Sequence, residues 1–166
     1  INRLVHFWIE EANKGRVLGL APFMAILKTM IKNVRIDSPP CGAGVNSLSI
    51  STDGDVIACP IAVDVKWAKL GNIQKDSKDQ MINRVRINEP CTSCNYLKHC
   101  GGRCLYAHYE RLWGGEGFRK ICQVTIHTIN ELAKVEREVS SLLDRKVISI
   151  EQIDYPTFNN TTEIIP

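Results

Sequence analysis

Apolar residues recur at helical spacing in three stretches of the chain. Those in residues 2–13 stand among polar neighbours and predict a short helix. A second helix is predicted over residues 22–31, with Pro22 in its first turn. The longest stripe predicts an amphipathic helix over residues 123–145, about 35 Å long at ~1.5 Å per residue, and consists of Ile126, Ile129, Leu132, Val135, Val139 and Leu142.

Strand signals are concentrated in one place. Apolar and polar residues alternate on both sides of Asp53-Gly54, which predicts a β-hairpin over about residues 47–59 with a type I′ turn. Other segments predict a turn or strand at 70–73, a polar helix at 75–85, a strand at 147–153 and a loop around Pro156. The predicted fold class is therefore α+β, a small cysteine-rich domain with one hairpin, irregular loops and flanking helices.

The composition indicates a soluble globular protein. Of the 166 residues, 44% are hydrophobic and 23% charged, which suffices for one domain with an apolar core. The net charge of +3 is too small to predict a nucleic-acid or membrane partner. No bilayer-spanning run and no signal peptide is visible, so a cytoplasmic location is predicted. Because the chain opens at Ile1 inside a patterned segment, we expect it to be part of a longer protein.

Seven cysteines change this picture. An odd count in a chain without an export signal disfavours a disulfide framework and favours metal binding. Four of them occur within fourteen residues, in the order C-x2-C-x5-C-x3-C, interleaved with Gly101 and Gly102. Two intervening residues let neighbouring sulfurs reach one centre. The full set is Cys41, Cys59, Cys91, Cys94, Cys100, Cys104 and Cys122.

Two kinds of metal centre fit these spacings. Structural zinc takes four Cys or His ligands per ion, and His99, His108 and His127 could complete two such sites. Iron–sulfur clusters are favoured because a bulky cluster collects ligands from distant segments and glycines permit close backbone approach. Compact cysteine runs can also serve two clusters at once. We expect His99 and His108 to be neighbours of the clusters, able to donate an N–H to sulfur, rather than ligands.

The cysteine pattern resembles that of the SPASM domain, the C-terminal extension of many radical SAM enzymes that modify ribosomally made peptides and proteins. Every element of the family pattern occurs in order between Cys41 and Cys122. The resemblance implies three parts. Residues 1–40 would be the end of, or a bridge from, a missing radical SAM barrel. Residues 41–126 would be the auxiliary cluster domain, and residues 127–166 a C-terminal helix and tail.

The resemblance also implies a ligand assignment for two [4Fe-4S] clusters. Cys91, Cys94, Cys100 and Cys122 would hold an outer cluster, and Cys41, Cys59 and Cys104 an inner one. The residues 114–117, rich in glycine, would form the turn that brings Cys122 back. No upstream cysteine is available as a fourth inner ligand, so Asp37, Asp64 or a peptide substrate are the candidates.

One motif of such enzymes is absent. The C-x3-C-x2-C signature that holds the SAM-cleaving cluster begins at Cys100-x3-Cys104, but Ala107 stands where its third cysteine would be. The chain would then serve electron transfer or substrate binding, would be inactive alone, and would use S-adenosylmethionine only through the missing core domain. Its partners would be that domain and a peptide or protein substrate. The alternative function is a zinc-stabilised peptide- or protein-binding module.

Overall fold

A computed structural model describes residues 1–154 and shows a layer of helices beside a small sheet. The predicted loop around Pro156 lies outside the described residues. In chain order the elements are α1 (Asn2–Asn13), α2 (Ala21–Ile31), β1 (Ser49–Ile50), β2 (Asp55–Ile57), β3 (Lys69–Asn72), α3 (Lys78–Met81), α4 (Leu97–Cys100), α5 (Leu105–Glu110), α6 (Gly114–Asp144) and α7 (Ile150–Ile153). This mixed content confirms the α+β class, and the first two helices match their predicted ranges closely.

The helical layer joins the two ends of the described chain. Helices α1 and α2 both pack against α6, and α7 packs on α2. The indole of Trp8 is fully buried there, and its Nε1 donates to the carbonyl of Leu18 at 2.9 Å. Leu132 and Leu142 of α6 are buried in the same core. The apolar N-terminal helices therefore pack within this chain, although Phe7 stays half exposed.

The sheet builds a second core, which includes two of the cysteines. Its three strands are antiparallel in the order β1-β2-β3. Val56, Leu70 and Leu105 are buried together with Cys59 and Cys91. The helical layer and the sheet thus have separate cores, with the remaining cysteines between or beside them.

The hairpin is confirmed, but the predicted type I′ turn is wrong. That turn needs positive φ at two central residues, whereas in residues 51–54 only Gly54 has it, at +85°. The connection is a longer loop closed by Gly54 N–H donating to the carbonyl of Ser51. The side chain of Asn72 on β3 also donates to the Asp53 carbonyl, so the third strand, which covers most of the predicted turn or strand at 70–73, holds this loop.

Helix α6 begins at Gly114, well before the predicted start. Residues 114–117 form its first turn rather than a separate turn, and Cys122 lies on the helix itself. Glycine is a poor helix former, but Glu116 favours the N-terminal turn and pairs with Lys120 at 2.9 Å. The local glycine signal is outweighed here by continuation of the long helix.

Two further elements differ from their predictions. Within residues 75–85 only the short helix α3 forms, and Asn83 with φ +64° interrupts any continuation. Residues 147–153 contain helix α7 instead of a strand, because Ser149 and Gln152 form a capping box at its start. Burial of Ile153 then fixes this turn against the helical layer. Among the described residues, no helix has the length and hydropathy needed to cross a bilayer.

Candidate iron–sulfur cluster sites

Tight turns and helix ends position the compact cysteine run. The amide of Cys91 donates to the carbonyl of Asn88, and the amide of Cys94 donates to the carbonyl of Cys91 at 2.9 Å. Cys100 is the last residue of α4, and Cys104 caps the N-terminus of α5, where its Sγ accepts from the amide of Ala107 at 3.5 Å. The amide of Gly102 likewise donates to the sulfur of Cys100, so backbone N–H groups stabilise two of these thiols.

Two glycines between these cysteines have no room for a side chain. Gly101 has φ +59°, and a Cβ there would lie 2.1 Å from the carbonyl oxygen of Ser38. Gly102 has φ +77°, and its Cβ would meet Ile87 at 2.7 Å. The loop from Cys100 to Cys104 therefore runs directly against two other segments, as the glycines in the sequence suggest.

Four cysteines converge on one side of this loop. Burial, together with the neighbouring thiols of Cys122, Cys100 and Cys94, raises the pKa of the Cys91 thiol to about 11. Burial also raises the pKa of Cys100 and of Cys122. Four thiolates in such surroundings repel one another, so they can be ionised together only around a strongly cationic centre.

The space between these thiols is larger than a single ion requires. A cavity of about 300 Å³ is lined by five cysteines and by apolar side chains. That volume equals roughly ten waters at ~30 Å³ each. In residues 1–154, no three His, Cys, Asp or Glu side chains lie close enough to hold one metal ion. The donor set and the cavity therefore fit a polynuclear cluster. The five cysteines are Cys91, Cys94, Cys100, Cys104 and Cys122.

The other three cysteines form a second group. Burial raises the pKa of Cys59, and the nearby thiols of Cys104 and Cys41 add to this effect. The amide of Ile61 donates to the sulfur of Cys59. Because Cys104 also lines the cavity of the first group, the two groups are adjacent. Asp37 and Asp64, the candidate fourth ligands, are both exposed.

Two arginines place positive charge beside the first group. The guanidinium of Arg103 lowers the pKa of Cys100 and Cys122, and that of Arg111 lowers the pKa of Cys91, each opposing the effect of burial. Arg103 also donates to the carbonyl of Ile121 at 3.5 Å, next to Cys122. The cysteine spacing does not reveal these contacts, because they depend on tertiary structure.

Two histidines, one within the cysteine run and one just after it, have different surroundings. His108 is 2% exposed, and its Nδ1 lies 3.7 Å from Sγ of Cys91. His99 instead places its Nδ1 2.7 Å from the hydroxyl of Thr29 on α2. Asn88, which contacts His108, was not singled out from the sequence. No local signal distinguishes it, because it meets the histidine only through folding.

Comparison with known proteins gives two findings. Residues 41–105 match the SPASM family, described as an iron–sulfur cluster-binding domain. A solved structure of His6-tagged anSMEcpe with bound AdoMet is similar over 82% of this chain and 42% of its own, with 19% sequence identity and a TM-score of 0.45. The chain thus spans less than half the length of that protein. No curated protein matches the chain.

The family match and the site geometry concern the same residues. Six of the seven cysteines lie inside the matched segment, and Cys122 lies beyond it on α6, where the fold returns it to Cys91. The segment that matches the SPASM family, an iron–sulfur cluster-binding domain, is thus the segment that carries most of the cysteine site.

Proposed function

We propose that this chain is the auxiliary part of a radical SAM enzyme that modifies a peptide or protein. It would hold two [4Fe-4S] clusters for electron transfer, substrate binding or both. Cys91, Cys94, Cys100 and Cys122 would ligate the outer cluster, and the other three cysteines the inner one. The carrying observation is the convergence of four thiols on one apolar cavity, with the second group of three alongside.

The residues around the cavity suit the handling of electrons. Apolar side chains limit the access of water, and backbone amides donate to the sulfurs of Cys59 and Cys104. Hydrogen bonds to sulfur and burial are the main protein controls over cluster potential. When bound, a cluster supplies one-electron redox chemistry, while the protein sets its potential and its separation from solvent.

The parent protein would supply the remaining chemistry. The 166 residues lack the C-x3-C-x2-C motif, so we propose that S-adenosylmethionine binds in a separate core domain and that this chain is inactive alone. Within residues 1–154, which include all seven cysteines, no disulfide forms, and this suits a reducing cytoplasm. A C-x3-C-x2-C motif in the parent sequence, ahead of Ile1, would support this proposal, and its absence would contradict it.

Metal analysis of the chain tests the cluster assignment. After anaerobic reconstitution with iron and sulfide we expect about eight irons per chain and broad absorbance near about 400 nm. Cys94→Ala should lose about half of the iron and Cys59→Ala the other half. Thr92→Ala is the matched control, because residue 92 lies between two proposed ligands and its hydroxyl donates to the Glu89 carboxylate. This variant should retain all of the iron.

The main alternative is a zinc-stabilised binding module. It predicts about two zinc ions per chain after anaerobic purification and no sulfide. Full iron content in Cys94→Ala, with an unchanged melting temperature, would also contradict the ligand assignment. The spacing of the thiols favours the cluster. Four thiolates around one zinc ion would be about 3.8 Å apart at Zn–S bonds of ~2.3 Å. In residues 1–154, no group of potential ligands is that tight.

A further inference from the structure

His108 is a buried polar side chain that the proposed function does not yet use. Its ring lies on α5, packs edge-on against Tyr109 and Phe118, and is 2% exposed. Both ring nitrogens have partners in the segment that carries the first cysteine ligand: Asn88 on one side and Cys91 on the other.

The partners of the ring determine where its proton lies. The backbone N–H of Asn88 donates to Nε2 at 3.3 Å, which makes Nε2 an acceptor. The Asn88 amide oxygen lies closer to Nε2, at 2.5 Å, and in that placement it suits an N–H on Nε2. With the two amide atoms exchanged, the side chain donates to Nε2 as the backbone N–H does. In that arrangement the single proton of a neutral imidazole is on Nδ1, the side that faces Cys91.

The Nδ1 side of the ring faces sulfur. Nδ1 lies 3.7 Å from Sγ of Cys91. A thiolate that ligates a metal can only accept a hydrogen bond, so a lone pair on Nδ1 would oppose it and an N–H would stabilise it. His99 is not equivalent: Thr29 donates its hydroxyl to the carbonyl of Ile26 at 2.7 Å, so His99 donates its Nδ1–H to that hydroxyl.

We propose that His108 is a positioning residue that donates its Nδ1–H to the thiolate of Cys91 and thereby raises the reduction potential of the outer cluster. The donation stabilises the more negative, reduced state, because negative charge on the cluster is spread over its sulfurs. Asn88 holds the ring in the required tautomer through Nε2, as an outer partner commonly does for a metal-binding site. The proposal rests on the proposed function, since it needs a cluster at Cys91.

Two substitutions separate the roles of the two ring nitrogens. Asparagine places its amide nitrogen near the position of Nδ1, whereas glutamine places it near that of Nε2. In the anaerobically reconstituted chain, His108→Gln should shift the midpoint potential of the outer cluster to a more negative value. His108→Asn should keep most of the original potential. The outer cluster is identified as the signal that Cys94→Ala removes.

A spectroscopic measurement tests the hydrogen bond directly. Pulsed electron paramagnetic resonance of the reduced outer cluster should show an exchangeable proton coupling that D2O removes. That coupling should be lost in His108→Gln and retained in His108→Asn. His99→Asn is the matched control, since it alters a neighbouring histidine that faces Thr29, and it should leave both the potential and the coupling unchanged.

The possible outcomes are distinct. Equal potentials in the unsubstituted chain and His108→Gln, with clusters intact, would overturn this proposal alone. A shift in His108→Asn that matches or exceeds the shift in His108→Gln would also overturn it. If His108→Gln fails to bind iron, loss of the proton coupling in His108→Asn would count against it. Absence of any cluster from the unsubstituted chain would overturn the proposed function, and this proposal with it.

Discussion

Arg103 joins the cysteine loop to helix α6 through one guanidinium group. Its backbone has a φ of +62°, and its Nη1 donates both to the hydroxyl of Thr125 and to the carbonyl of Ile121. These acceptors stand on either side of Cys122 along the chain. Because Cys122 comes from outside the compact cysteine run, this contact aligns it with the other three thiols.

Arg103→Lys should therefore weaken the outer site while the charge is kept. Both contacts come from one nitrogen, Nη1, which the planar guanidinium holds at a fixed position, whereas the shorter lysine ends in a compact ammonium on a flexible stem. A hydrogen bond from a charged donor contributes about 1.5–3 kcal/mol. We expect lower iron retention and a lower melting temperature than in the unsubstituted chain. Arg119→Lys, at an exposed position of α6, is the control. Equal effects of the two substitutions would show that Arg103 acts only through its charge.

The buried thiols predict a pH dependence for the cluster-free protein. The folded-state pKa of Cys91 is raised to about 11 from 9.0, so folding favours its neutral form. This contribution to stability is present below pH 9.0 and is lost as the pH rises towards about 11. Thermal unfolding of the cluster-free chain should show a falling melting temperature in that window. Cys91→Ala should reduce the slope, and an unchanged slope would contradict the predicted shift.

In the glycine-containing loop of residues 100–104, the local sequence predicts the backbone conformation but not the packing partners. The spacing of glycines among cysteines predicted close backbone approach in residues 100–104. Gly101 meets the carbonyl of Ser38, which belongs to a distant segment that no local pattern connects to this loop. The backbone conformation thus follows from the sequence, but the neighbours do not.

Gly101→Ala should destabilise the cysteine loop strongly. The added Cβ would lie 2.1 Å from a backbone oxygen at a φ of +59°, so the loop or residue 38 must move. We expect a loss of at least about 1–3 kcal/mol, the usual cost of a strained backbone conformation. Gly115→Ala is the matched control, because its Cβ meets nothing within 4 Å and alanine favours the helix. Similar unfolding free energies for both variants would contradict the steric argument.

Helix boundaries show where local patterns are outweighed. The apolar stripe correctly predicted the body of α6, but its start at Gly114 crosses a glycine-rich stretch that locally indicates a turn. Residues 147–153 alternate as a strand does, yet α7 forms there because Ser149 and Gln152 cap it and Ile153 packs into the helical core. Tertiary burial decides such short segments, since their intrinsic preferences are small.

The molecule as a whole has two cores with different dependence on the clusters. The helical core draws on α1, α2, α6 and α7 and contains ordinary apolar side chains. The sheet core includes Cys59 and Cys91, so part of its order depends on what these thiols bind. Binding energy at such a site is also folding energy.

Removal of the clusters should therefore loosen one half of the molecule first. In hydrogen exchange measured before and after chelation, amides in residues 91–110 should lose protection, while those in residues 129–142 should keep most of theirs. Helix α6 offers an internal comparison, because it carries both Cys122 and the buried Leu132. Uniform loss of protection along the described chain would show instead that the two cores unfold together.

The sequence alone determined the class of chemistry, the α+β content and the family resemblance. Cysteine spacing, glycine placement and hydrophobic periodicity are local properties, so they can be identified in the sequence alone. Only the tertiary structure decided which thiols share a cavity, that Arg103 contacts the α6 turn that carries Cys122, and that His108 rather than His99 faces sulfur. These contacts join residues far apart in the chain, and they form only when the separate elements pack together.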